Sequence, residues 1–205
     1  MTNFFIGDMH FGHQNALAYD NRPFLTVEEN DNALVDRWNN TVNVDDYVYI
    51  LGDISHYNVT KTTEILNKLN GNKILIVGNH DRAFLKNKFF RDIFVEICDY
   101  KELDIGSGKR LILCHYPMPC FNGQFRGNIH LYAHVHNSQQ WNMVEHFKKV
   151  AEDDRGINTC RMYNVGCMLD YMNFTPRTLD EILKECEGAY KDTILERNRR
   201  NSKDK

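Results

Sequence analysis

Five short apolar runs in this chain stop abruptly on groups that carry charge or donate lone pairs. Residues 4–6 pass through Gly7 into Asp8 and His10, and residues 47–51 through Gly52 into Asp53. Residues 74–77 pass through Gly78 into Asn79, His80 and Asp81. Residues 111–114 end against His115, and residues 129–133 against His134 and His136. Each run is too short for a helix, and several are rich in β-branched or aromatic residues, so they read as buried strands, as does 162–165. Carboxylates and imidazoles beside buried strands are costly unless ions or partners compensate them. A chain with five such strand ends must bring them to a common, polar place.

Helical patterns fall between some of the strands. Thr26 and Glu29 have capping-box spacing, and Val27, Leu34, Val35 and Trp38 then share one stripe. Ile65, Leu66 and Leu69 form a second stripe, with Gly71 standing where a helix C-terminus often needs a left-handed residue. Thr178 and Glu181 open a third helix carrying Leu179, Ile182, Leu183 and Cys186. The alternation implies an α/β domain with mixed sheets. In open sheets of this kind ligands gather beyond the carboxyl ends of the strands.

No repeat or Gly/Ser-rich linker divides the chain, so residues 1–188 are expected to form one domain. Residues 189–205 are a charged tail without apolar periodicity. A hydrophobic fraction of 42% and a formal charge of -3 exclude a disordered chain and a generic nucleic-acid coat. Six cysteines without CxxC spacing, and a start lacking both a basic segment and a long apolar one, lead us to expect a cytoplasmic protein with reduced thiols. No apolar stretch approaches the ~20 residues of a membrane span.

Asp8 with His10, and His134 with His136, are two residues apart, which in an extended backbone places each pair on one face. Aspartate, asparagine and imidazole together make a mixed oxygen and nitrogen ligand set. It suits manganese, iron, zinc, cobalt or nickel better than magnesium or calcium, and the lack of thiolate ligands argues against a zinc finger. There is no GxxxxGK[ST] to bind nucleotide phosphates and no GxSxG to carry a serine nucleophile.

The series DMH, GD, GNHD, CHYP and AHVH, spanning residues 8 to 136, resembles the five signature blocks of the calcineurin-like metallophosphoesterases, in the family's order. The stretch NVGCMLDYMNFTP at 164–176 is similar to the closing strand and turn of small prokaryotic and phage members. The resemblance implies a four-layer α/β/β/α sandwich of two mixed sheets and two divalent cations, manganese first among the candidates. It implies Asp8, His10, Asp53 and His136 as ligands of one cation, and Asp53, Asn79, His115 and His134 as ligands of the other. Ala133 departs from the pattern, since the family usually has glycine before its His-x-His pair, and its methyl could crowd the backbone.

Two cations ~3.5–4 Å apart can bridge a water and lower its pKa from ~15.7 towards ~7 while polarising a phosphoryl oxygen. The expected reaction is therefore phosphoester hydrolysis, phosphodiesters favoured, with Asp53 as the shared ligand. His80, not needed as a ligand, is the expected general acid, and Asp81 beside it is expected to fix its tautomer, the alternative being a backbone contact. His13, Asn15 and Arg22 either line the substrate mouth or organise the loop after the first strand; Arg82 either steers a phosphate or begins a helix. His56 reads as a helix cap near Thr60 or a substrate contact, and His130 and His146 as ordinary residues. A nuclease would use the same cations but should add a basic or aromatic track, which the sequence does not display. A non-catalytic adaptor, as in the retromer subunit that resembles this family, should have lost ligands that this chain keeps.

Overall fold

The computed structural model describes residues 1–151 and 160–187. The tail expected from residue 189 lies outside the described residues, as do residues 152–159 of the stretch after His136.

β1 (Asn3–Ile6), β2 (Tyr47–Ile50), β3 (Asn72–Ile76) and β4 (Phe94–Cys98) run parallel in one sheet, closed by the short antiparallel β9 (Arg177–Thr178), in the order β4-β3-β2-β1-β9. β5 (Tyr100–Asp104), β6 (Arg110–Cys114), β7 (Ile129–Tyr132) and β8 (Met162–Asn164) form the second sheet in chain order, with β5 antiparallel to β6 and the rest parallel. Both sheets are mixed, as expected.

The two-residue period of a strand separates the faces of the second sheet. Leu111, Leu113, Ile129, Leu131, Tyr163 and Val165 join Phe5, Ile6, Val48, Ile50 and Leu75 of the first sheet in the main core. Ile112, Tyr132 and Met162 point the other way, into a smaller core with Val144 of α4 (Gln139–Val150). The main core also takes in Leu34 and Trp38 of α2 (Val27–Thr41) and Ile65 and Leu66 of α3 (Val59–Leu66). The result is the α/β/β/α layering.

Two helix starts behave as their spacing requires. Thr26 Oγ1 accepts from the Glu29 N–H at 3.1 Å, although the Glu29 carboxylate returns to the Leu25 N–H rather than to Thr26. Thr178 and Glu181 make the reciprocal pair in full, opening a helix described over residues 179–187. The second helix differs from expectation. It ends at Leu66, and Gly71, with φ +82°, serves the turn into β3 instead of the helix end. His56 does not cap it: Asn58 does, its side chain accepting from the Lys61 N–H at 2.9 Å. No helix of the described residues is long and apolar enough to cross a membrane.

Candidate metal centre

Five parallel strands deliver their polar ends to one seam between the sheets: β1, β2 and β3 from one side, β6 and β7 from the other. The backbone turns out of the strands sharply. Asp8 (φ 52°), His10 (49°), Asp53 (54°), His134 (70°) and His136 (48°) are all left-handed, so five of the seven expected ligands adopt a conformation that side-chain-bearing residues rarely hold. Such residues persist where their surroundings over-determine them, as at functional sites. Close approach accompanies the turns: a Cβ on Gly52 would meet the backbone of Gly78 at 2.6 Å and the His115 ring at 2.7 Å.

The side chains gather into groups. Asp8, His10 and His136 offer ligand atoms within 4.8 Å of one another, and so do Asp53, His115 and His134. His10 Nε2 and His136 Nε2 face each other at 3.0 Å, and Asp8 Oδ1 lies 4.0 Å from His136 Nε2. Asp53 stands between the groups, its Oδ2 3.8 Å from His10 Nε2, 3.6 Å from His115 Nε2 and 3.9 Å from His80 Nε2. Asn79 reaches the second group through its Oδ1, 3.1 Å from His115 Nε2. His80 sits at the mouth with its side chain 43% exposed, its backbone N–H donating to Asp53 Oδ1 at 2.9 Å.

The surrounding residues correct several expectations. Asp81 takes the alternative of its two expected roles, a backbone contact, and does not orient His80. Its buried carboxylate accepts the backbone N–H groups of Asp53 and Gly78 at 2.9 Å and of Ile54 at 3.0 Å, because three main-chain donors converge there. Of its two expected roles Arg22 takes the second, organising the loop after β1 and not lining the mouth: its side chain is 0% exposed, and its guanidinium donates to Asp20, Asn30 and the carbonyls of Asp8 and Met9. Arg82 is exposed and paired with Asp99 at 2.8 Å. Asn15 lies exposed in the first turn of α1 (Gln14–Tyr19), which follows His13.

His13 and His56 stack with ring centroids 3.6 Å apart, each also within 5.4 Å of the His10 ring. With His10 they form a further group of metal-ligating type beside the other two. His56 therefore belongs to the site, which its position after Asp53 could have signalled. Asp20 was not foreseen at all. It hydrogen-bonds to His136 at 2.8 Å, and a lone acidic residue in a loop gives no periodic cue to that. His130 is a satisfied core residue: Met118 N–H donates to its Nε2, so its Nδ1–H donates to Ile112 O.

Burial dominates the electrostatics. It pushes the Asp8 carboxyl up to about 7 and drives the His10 imidazole far down, with neighbouring His136 adding to the latter. Burial likewise raises Asp53 and lowers His115 and His134. At His136 burial opposes the charged ring, but the bond to Asp20 and the charges of Asp8 and Asp20 outweigh it and raise the pKa. Asp8 Oδ2 and the Nδ1 atoms of His10 and His13 are buried without a hydrogen-bond partner among the described residues. Buried polar atoms are ordinarily satisfied. A divalent cation fits this donor set: it would supply the missing partner of Asp8 Oδ2 and favour the ionised carboxylates that burial disfavours.

A profile of the calcineurin-like phosphoesterases matches residues 1–158, and the chain belongs to that family. Its members act on phosphoesters and usually bind divalent metals. The uncharacterized protein MJ1445 of Methanocaldococcus jannaschii is 32% identical over 186 residues, 90% of each chain. The Gene 66 protein of Mycobacterium phage L5 is 38% identical over 92 residues, 43% of this chain and 44% of that protein. A solved structure, the protein of unknown function AQ665 from Aquifex aeolicus, shares the fold with a TM-score of 0.63 at 24% identity, over 89% of this chain and 97% of that one.

Proposed function

We propose that residues 1–188 form a cytoplasmic, manganese-dependent hydrolase of phosphodiesters with a dinuclear site. Asp8, His10, Asp53 and His136 would hold one cation, and Asp53, Asn79, His115 and His134 the other. The observation that carries this reading is the placing of the Asp53 carboxylate between both groups, with the unpartnered Asp8 Oδ2 buried beside it.

When bound, such cations supply Lewis acidity toward a phosphoryl group and an acidified water for in-line attack. The protein's own residues do the rest. Asp53 ties the two halves together. His80, held by the backbone bond to Asp53 and open at the mouth, donates the proton that the departing alkoxide needs. Asp81 contributes from below, fixing the turn that carries Asp53. The stacked His13 and His56 rings, beside His10, would meet the phosphoryl oxygens.

Hydrolysis of bis-p-nitrophenyl phosphate with added manganese, against a chelated control, tests the proposal. Activity that appears only with the metal supports it, and silence across manganese, iron, zinc, nickel and cobalt rejects it in favour of an adaptor. His80→Ala should keep both cations and lose most turnover on substrates with poor leaving groups; wild-type rates on those substrates would remove His80 from its role. Steep salt dependence of DNA or RNA cleavage would move the reading towards a nuclease.

A further inference from the structure

We infer that Asp20, clamped by Arg22, positions the Asp8–His10–His136 group and makes it the tighter of two cation-binding halves, an inference that rests on the dinuclear reading above. Asp20 is the residue that follows α1, and its carboxylate is buried between two partners. Its Oδ1 accepts from His136 Nδ1 at 2.8 Å, and its Oδ2 accepts from Arg22 Nε at 3.0 Å and lies 2.9 Å from Arg22 Nη2 as an ion pair. An ionised carboxylate has no hydrogen to give, so the His136 ring must carry its hydrogen on Nδ1. Its Nε2 lone pair then points to where His10 Nε2 lies 3.0 Å away and Asp8 Oδ1 4.0 Å away.

The clamp reaches the other side of the same group. Arg22 Nη1 donates to Met9 O at 2.9 Å and to Asn30 Oδ1 at 3.2 Å, and Nη2 donates to Asp8 O at 3.0 Å. Those carbonyls belong to the segment that carries the left-handed Asp8 and His10. One ion pair thus grips the ring supplied after β7 and the backbone supplied after β1. Since Arg22 offsets the charge of Asp20, the consequence is local: ring orientation and basicity, not long-range attraction.

Among the described residues the other half shows no carboxylate bonded behind a ligand ring. His115 Nδ1 rests on the Leu51 carbonyl at 2.6 Å, a neutral acceptor, and Asn79 replaces the carboxylate that Asp8 gives to the first half. Carboxylates behind ligating imidazoles raise ligand basicity, and their removal typically weakens metal affinity by ~10–100-fold.

The test is titration of Mn²⁺ into chelator-treated full-length protein, with free ion followed by electron paramagnetic resonance and folding checked by circular dichroism. The wild type should bind two equivalents with unequal affinity. Asp20→Ala should weaken the tighter one by ~10–100-fold and leave the other unchanged, with Asp20→Asn, which keeps an acceptor but not the charge, in between. Two equivalents of unchanged affinity in Asp20→Ala would overturn the positioning role while leaving the dinuclear reading intact. No equivalents in the wild type would overturn both. A readout that needs no variant is the His136 ring in zinc-loaded protein labelled with ¹⁵N-histidine: a proton on Nδ1 supports the inference, and one on Nε2 overturns it.

Discussion

The methyl group of Ala133 takes the room that a side chain at position 7 would need. A Cβ on Gly7 would come within 2.6 Å of Ala133 Cβ and 3.3 Å of the Leu51 carbonyl. The departure of Ala133 from the family's glycine is thus accommodated by a glycine across the seam, and crowding is avoided. Gly7→Ala should destabilise the fold by roughly 1–3 kcal/mol. Part of that should return in the Gly7→Ala, Ala133→Gly double variant, with a coupling of about 0.5–3 kcal/mol in a denaturation cycle; strict additivity would disprove the contact. Asp81 makes a second case. In Asp81→Asn an amide hydrogen would confront at least one of the three backbone N–H donors, costing about 1–3 kcal/mol. Because those donors include Asp53's own N–H, the variant should lose cation affinity at every substrate. A defect confined to poor leaving groups would restore Asp81 to service of His80.

Among the elements, the turn from α2 into β2 is fastened by one carboxylate. Asp46 Oδ1 accepts from the Thr2 N–H at 2.8 Å and Oδ2 from the Asn43 N–H at 2.9 Å, while its own carbonyl accepts from Asn72 at 2.7 Å. The bonds from Asn43 and then Thr2 hold the Asp46 carboxyl below its ordinary value. A depressed folded-state pKa gives stability that is present above the unfolded pKa and fades as pH falls through the folded one. Asp46→Ala should therefore be less stable than the wild type at neutral pH, and the gap should narrow in acid; a gap independent of pH would refute the assignment. How much of this could be read from sequence depends on burial. The central strands announce themselves as apolar runs, and Thr26 and Thr178 announce their helices. β4 and β5 escape because each pairs on one side only, and edge strands such as FVEIC and YKELD keep charged residues exposed. The residues that gather at the seam were legible through their repeated place after a strand. Asp20 was not, and for Arg22 and Asp81 the sequence left two roles open each, since what a polar side chain turns towards is set by tertiary neighbours and not by local spacing.

On the scale of the molecule, the site is a seam. Asp8, Asp53 and Asn79 come from one sheet, and His115, His134 and His136 from the other, so a cation bound there would join the layers. Five left-handed residues hold this arrangement at a conformational cost of roughly 1–3 kcal/mol each, which the surrounding packing must offset. Manganese at about a hundredfold excess over its dissociation constant should add ~2.7 kcal/mol. That corresponds to a rise in thermal midpoint of roughly 5–10 °C, reversed by chelator; no shift would mean that the seam holds no manganese. The order in which the chain supplies these residues has its own implication. A nascent polypeptide leaves the ribosome with Asp8 and Asp53 exposed long before His134 and His136 have been synthesised, so the carboxylates wait for the imidazoles during translation, and a cation binding there would be seated only among the last events in the making of the protein.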